Sequence, residues 1–235
     1  MKITIIIPTY NKWSLTVSRL MELSHYCSNV YEVVLVDDAS TEPFTQLDFW
    51  KDRSPWKLVY ERIMTNKGFG FSMNLGAALA TGDVFVFLSN DVVIKKDFIP
   101  EIERQLEINK QPILMGTELL KHNTGWNMIG DVVVPYLHGW FLACSRDVWN
   151  VLGGFDHKTY GLSDYEDIDL SLTAIKNNIM LVVLQDQDLK HKTAQTFGYT
   201  PERLARTKSN QVHFIQKWQS KIGGLSAKIR SITGG

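Results

Sequence analysis

The strongest constraint on this chain is a repeated pattern: short apolar runs alternate with helix-like stretches through its first half. Ile3 to Ile7 is an unbroken β-branched run, the kind a strand buried on both faces requires. Trp13 to Cys27 reads as a helix and Glu32 to Val36 as a second buried strand. Lys57 to Glu61 is a weaker strand. Phe71 to Ala80 reads as a helix closed by Thr81-Gly82. Val84 to Leu88 is a fourth strand, and a helix follows from about Asp97 to Asn109. Such alternation predicts an α/β fold around a doubly wound, mostly parallel sheet. Sheets of this kind bind ligands beyond the carboxyl ends of their strands. Three polar clusters fall at those ends: Pro8-Thr9-Tyr10-Asn11, Asp37-Asp38 and Asn90-Asp91. They are expected to converge on one site.

The second half is less regular. Val132 to Val134 and Gly139 to Cys144 read as strands, Arg146 to Leu152 as a short helix, and Gly153-Gly154-Phe155-Asp156 as a loop. Ser163 to Asn177 reads as a helix, Met180 to Leu184 as a strand, and Pro201 to Lys217 as a helix with its proline in the first turn. Residues 221–235, rich in Gly, Ser and Lys, are expected to form a mobile tail.

Composition narrows the class. Hydrophobic residues make up 44% of the 235, enough for a core, and 25 basic side chains balance 25 acidic ones. Zero net charge speaks against a dedicated nucleic-acid binder. Cys27 and Cys144 have no metal-type spacing and read as free thiols of a reducing compartment. Pro8 ends the N-terminal apolar run too early for a signal peptide. No stretch approaches the ~18 apolar residues of a membrane span, so a cytoplasmic protein is expected.

Several residues could carry chemistry. A carboxylate just past a buried strand end, such as Asp91, suits a divalent cation that bridges a diphosphate, although Asn90-Asp91 also suits a plain turn. Asp83 lies at the opposite end of that strand. Asp37-Asp38 could cap the next helix or accept hydrogen bonds from a ligand, and the cap is the simpler reading. Gly68-Phe69-Gly70 is no dinucleotide fingerprint, because Met73 replaces its third glycine and it does not follow the first strand. In the cluster Asp164, Glu166, Asp167 and Asp169, Ser163-x-x-Glu166 matches a capping box. Capping accounts less well for Asp167 and Asp169. Crowded acids raise one another's pKa, which suits a general base. His191 is a lone histidine near a strand end, structural unless a metal lies beside it.

Read in order, these segments resemble glycosyltransferase family 2, inverting enzymes of the GT-A fold. Ile5-Ile6-Ile7-Pro8-Thr9-Tyr10-Asn11 is similar to that family's first strand and turn. Val34-Leu35-Val36-Asp37-Asp38-Ala39-Ser40 is similar to its nucleotide-contacting second strand. Asn66-Lys67-Gly68-Phe69-Gly70 with Asn74-Leu75-Gly76 resembles its third loop and helix. Phe87-Leu88-Ser89-Asn90-Asp91 resembles the strand carrying the DXD motif. Gly153-Gly154-Phe155-Asp156 followed by Glu166-Asp167-Ile168-Asp169 resembles the acceptor-side helix.

The resemblance implies one GT-A-like catalytic domain over residues 1–220, with a nucleotide-binding half to about 110 and an acceptor-binding half beyond it. It implies inverting transfer from a nucleotide diphosphate-sugar to an acceptor hydroxyl, in surface glycan or other polysaccharide synthesis. The nucleotide would lie against Pro8, Thr9, Tyr10, Asp38, Asn66, Gly68 and Asn90. Asp91 and His191 would hold Mn²⁺ or Mg²⁺, and Asp167 would be the catalytic base. Glu166, Trp140 and Asp169 would lie on the acceptor or donor-sugar side. Two departures stand out: Ser89-Asn90-Asp91 keeps only one carboxylate, and Met73 stands where many members carry arginine.

Two other classes are set against this one. A sugar nucleotidyltransferase calls for a Gly- and Arg-rich loop after the first strand, where Pro8 to Asn11 stands. A non-catalytic binding protein would be expected to lose Asp91 or Asp167. The acceptor stays open among a glycan, a lipid-linked sugar, a protein and a nucleic-acid base, the last disfavoured by zero net charge. Trp126, Trp140, Trp149 and Tyr136 are candidate sugar-stacking rings, although aromatic residues more often pack in cores.

Overall fold

The computed structural model describes residues 1–185, 187–192 and 200–233. The first half runs β1 (Ile3–Thr9), α1 (Trp13–Tyr26), β2 (Val30–Asp38), α2 (Leu47–Arg53), β3 (Lys57–Ile63), α3 (Phe69–Leu79), β4 (Val84–Leu88), β5 (Val92–Ile94) and α4 (Ile99–Ile108). Short strands follow: β6 (Ile113–Gly116), β7 (Leu119–Leu120), β8 (Met128–Ile129), β9 (Val132–Val133), β10 (Tyr136–Leu137) and β11 (Phe141–Ser145). The chain continues through α5 (Arg146–Leu152), α6 (His157–Tyr160), α7 (Glu166–Lys176), β12 (Met180–Val183), β13 (Leu189–His191), α8 (Pro201–Trp218) and α9 (Ile222–Thr233).

Among the described residues, seven strands form the main sheet in the order β12-β6-β11-β4-β1-β2-β3. β1 pairs in parallel with β2 on one side and β4 on the other. The winding therefore reverses beside β1, and the crevice at such a switch point is where open α/β sheets take their ligands. β11 is the exception to the parallel rule, antiparallel to both β4 and β6. Because Phe141 pairs with Leu88, the residues before β11 reach the same sheet edge as those after β4.

The β-branched run of β1 alternates between two cores. Ile3, Ile5 and Ile7 pack with Leu20 and Leu23 of α1 and Ile99 and Ile102 of α4. Ile6 faces the other layer, with Met73 of α3, Trp149 of α5 and Leu172 of α7. Burying such side chains stabilises the sheet by roughly 1.5–3 kcal/mol each. At the edge away from the crevice, buried Glu32 accepts hydrogen bonds from Thr4, Lys57 and Thr81. Burial alone would raise its pKa, but these donors hold it below the usual value.

Two expectations need correction. Residues 222–233 form a helix instead of a mobile tail, because Ile222, Leu225 and Ile229 recur on one face and are buried in the α7 layer. The capping box does not form either. Tyr165 precedes α7 at φ 83 with no side-chain cap, and Ser163 Oγ accepts instead from Arg206 of α8 at 3.1 Å.

Candidate active site

The polar strand ends open into one cavity of about 500 Å³. Pro8, Thr9 and Tyr10 from the end of β1, Asp38 from β2, and Asn90 and Asp91 after β4 all line it. So do Trp140, Glu166, Asp167 and His191. The expected convergence is therefore observed for most of the named residues. Asn11, Asp37, Asn66, Gly68 and Asp169 stand outside this lining.

Asp91 follows the buried run of β4 and is itself 6% exposed. Ser89 Oγ donates to Asp91 Oδ1 at 2.7 Å, so the serine of the one-carboxylate motif orients the acid that remains. His191 arrives from β13, which pairs antiparallel with β5 and sets His191 opposite Val92. Its Nε2 lies 3.2 Å from Asp91 Oδ1. Asn90 turns inward: its amide donates to Thr9 Oγ1 and Thr16 Oγ1 at 3.4 and 3.3 Å, pinning the end of β4 to β1 and α1.

Among the described residues no group of three or more His, Cys, Asp or Glu side chains could hold a metal ion by itself. Asp91 and His191 offer one carboxylate and one imidazole. That donor set fits Mn²⁺ or Mg²⁺ when phosphate oxygens and water complete the coordination.

Asp38 does not cap the helix after β2, whose N-terminus at Gln46 has no side-chain cap. Its two carboxylate oxygens accept from the backbone N–H groups of Lys67 and Gly68, at 2.7 and 2.8 Å. Burial pushes its pKa up against those bonds. Gly68 has φ 89, and a Cβ there would lie 2.3 Å from the Leu162 backbone. Gly68 thus allows the close packing of the α3 entry against the loop before α7, and Met73, five residues on, is fully buried in the core.

Asp167 sits in the first turn of α7, across from the approach to β11. Gly139 N–H donates to its Oδ2 at 3.0 Å, and the Ile168 N–H to its Oδ1 at 2.9 Å. Burial raises its pKa, opposed by the Gly139 hydrogen bond and by His138. Glu166 beside it is 6% exposed, and its Oε2 has no hydrogen-bond partner. Burial first, then the charges of Asp167 and Asp164, lift its pKa to about 8.

Asp169 corrects the acceptor-side expectation. Two residues beyond Asp167 on a helix, about 200° round, it faces the opposite side. There it accepts from Tyr160, Lys217 and Trp218, at 3.0, 2.9 and 2.6 Å. Trp149 is a core residue as well, its ring 4.2 Å from Phe87 and 5.4 Å from Phe155. Trp126, Tyr136 and Trp140 do reach the cavity.

Sequence reasoning missed the contribution of α8. Arg203 and Thr207 line the cavity and bind the Asp164 carboxylate, each at 2.9 Å. Asn210, one turn further, donates to the carbonyls of Tyr160, Ser163 and Asp164 at 2.9–3.0 Å. The i, i+4, i+7 spacing of these polar residues was the available signal.

Residues 4–124 match the model of glycosyl transferase family 2. The chain belongs to that family. A dolichol-phosphate mannosyltransferase of Pyrococcus furiosus is 25% identical over 250 residues, covering 94% of this chain and 66% of that protein. An uncharacterized glycosyltransferase of Bacillus subtilis, YfnE, is 26% identical over 118 residues, 49% of this chain and 30% of that one. The chain thus spans less than two thirds of the length of either relative.

Solved structures agree with this family 2 chain in fold. GalNAc-T7 with UDP, GalNAc and Mn²⁺ superposes with a TM-score of 0.74 at 14% identity, over 94% of this chain and 48% of that one. The mannosyltransferase PcManGT of Pyrobaculum calidifontis, in complex with GDP-Man and Mn²⁺, gives 0.68 at 19% identity, over 92% and 63%. These are GT-A glycosyltransferases, and the present chain shares their fold. Among its described residues no helix is long and apolar enough to cross a membrane.

Proposed function

We propose that this family 2 member transfers a sugar from a nucleotide diphosphate-sugar to an acceptor hydroxyl, with inversion at the anomeric carbon. The observation that carries this reading is one cavity lined by an acid–imidazole pair at the sheet edge and by a carboxylate of raised pKa at the start of α7. The nucleotide lies along Pro8, Thr9, Tyr10 and Asp38. Asp91 and His191 hold Mn²⁺ or Mg²⁺, which when bound neutralises the charge that grows on the leaving diphosphate.

Asp167 accepts the acceptor's hydroxyl proton as its oxygen bonds to the anomeric carbon and the bond to the diphosphate oxygen breaks. Attack from the face opposite the leaving group inverts that carbon. A raised pKa makes Asp167 a stronger proton acceptor than a free carboxylate, and the Gly139 N–H fixes one of its oxygens. The relatives are named as transferases of mannose and other sugars, and neighbouring structures hold UDP or GDP-Man with Mn²⁺. That pattern supports a nucleotide-sugar donor here, and a surface glycan is the acceptor class we favour.

Calorimetry with UDP, GDP and dTDP, each with and without Mn²⁺, tests the reading. At least one nucleotide binds in a metal-dependent way, and Asp91→Ala abolishes that dependence. Unchanged binding by the variant removes the metal role.

A further inference from the structure

Trp140 touches both chain segments that bring the acid and the imidazole together. Its backbone carbonyl accepts the Ser89 N–H at 2.9 Å, two residues before Asp91. Its ring lies flat on the His191 imidazole, with centroids 5.3 Å apart and planes 11° apart. β13 is three residues long and pairs with β5 alone among the described strands. Beyond it, the Lys192 N–H donates to the Asp91 carbonyl at 3.1 Å. These backbone bonds place the Cα of His191 beside Asp91 but leave its ring free to turn about the Cβ–Cγ bond. Among the described residues, the Asp91 carboxylate 3.2 Å from Nε2 and the Trp140 ring packed beside the imidazole set that rotation.

We propose that Trp140 is a positioning residue for the metal, holding the His191 imidazole so that Nε2 and the Asp91 carboxylate face one cation. This rests on the reading of Asp91 and His191 as a metal pair. It also gives Trp140 a task other than stacking on a sugar. Groups that orient a metal ligand typically change metal affinity by about 10–100-fold when removed.

The test is Mn²⁺ affinity, read by the paramagnetic resonance of free Mn²⁺ in the presence of UDP, GDP or dTDP, for the parent, Trp140→Leu, Trp140→Phe and His191→Ala. Trp140→Leu binds Mn²⁺ about 10-fold or more weakly, whereas Trp140→Phe, which keeps an aromatic face, stays within about threefold of the parent. A second readout does not depend on how Trp140→Leu folds. Mn²⁺ quenches part of the parent's tryptophan fluorescence, and Trp140→Phe loses that part.

If His191→Ala weakens Mn²⁺ binding while Trp140→Leu does not, the positioning role is wrong and the metal pair stands. A Trp140→Phe loss as deep as that of Trp140→Leu, or quenching undiminished in Trp140→Phe, also overturns it. If neither parent nor His191→Ala shows nucleotide-dependent Mn²⁺ binding, the metal pair fails and this proposal falls with it.

Discussion

The backbone N–H of Gly139 donates to Asp167 Oδ2 at 3.0 Å, tying the start of α7 to the approach of β11. A Cβ on Gly139 would stand 3.0 Å from the Cβ of Asp167, tighter than ordinary contact. Gly139→Ala therefore pushes the carboxylate aside without touching the nucleotide side of the cavity. Displacement of about 1 Å can cost 10²-fold in turnover. Steady-state kinetics on the active donor, beside nucleotide titration, should show kcat falling at least about 10-fold with nucleotide affinity unchanged. Equal losses in both would mean that the contact is not specific to Asp167.

Asp38 carries a structural load as well as facing the cavity. Asp38→Ala leaves the Lys67 and Gly68 amides without their partner, at a cost of about 1–3 kcal/mol. Urea unfolding without nucleotide should register that loss, and nucleotide affinity should fall too because the α3 entry is released. Unchanged stability would show that the carboxylate does not hold this loop.

Glu166 predicts a pH dependence of stability. Its folded pKa, lifted to about 8 by burial and by Asp167 and Asp164, lies above the ordinary glutamate value of 4.5. Between those two values the folded state binds more protons than the unfolded one, so stability falls as pH rises across that window. Glu166→Gln removes this contribution. Melting temperatures should therefore favour the variant at pH 8 and converge with the parent near pH 5. A parallel pair of profiles would mean that Glu166 ionises normally.

The loop before α7 needs its clamp. Asp164 and Tyr165 hold φ values of 79 and 83, a region non-glycine residues occupy at a cost of order 1–3 kcal/mol each. Asn210 binds three carbonyls of that segment from α8. Asn210→Ala should destabilise the fold by about 1–3 kcal/mol, and hydrogen exchange should quicken first at the start of α7. A change below about 0.5 kcal/mol, the range of an ordinary surface substitution, would remove Asn210 as a clamp.

Much of this was legible in the residues themselves. The apolar runs of β1, β2 and β4 fixed which side chains are buried, and the polar residues just beyond them could only lie at one sheet edge. The second half resisted reading for definite reasons. Strands β7 to β10 are two residues long, too short for a period to show. The Ser163-x-x-Glu166 spacing suggests a cap, but the positive φ of Tyr165 turns Ser163 toward α8. Glycines at 223 and 224 disguised α9, although Ile222, Leu225 and Ile229 keep a helical spacing. Asp169 could have been set aside from helix geometry alone. The pairing of Asp91 with His191 came from the family resemblance alone, because 100 residues of chain separate them and the β5–β13 register is what brings them together.

The most direct test of the central claim is the turnover of Asp167→Asn. With Mn²⁺ and a panel of UDP-, GDP- and dTDP-sugars, release of nucleoside diphosphate identifies the donor the parent uses, by hydrolysis or with an acceptor added. The variant keeps the side chain's size and an oxygen for the Gly139 N–H but cannot take the proton. Its turnover should fall by roughly 10²–10⁴-fold, the usual worth of a positioned base. Binding of Mn²⁺ and nucleoside diphosphate should stay within a few-fold of the parent. Turnover within a few-fold of the parent on the same donor and acceptor would contradict the assignment of Asp167 as the base.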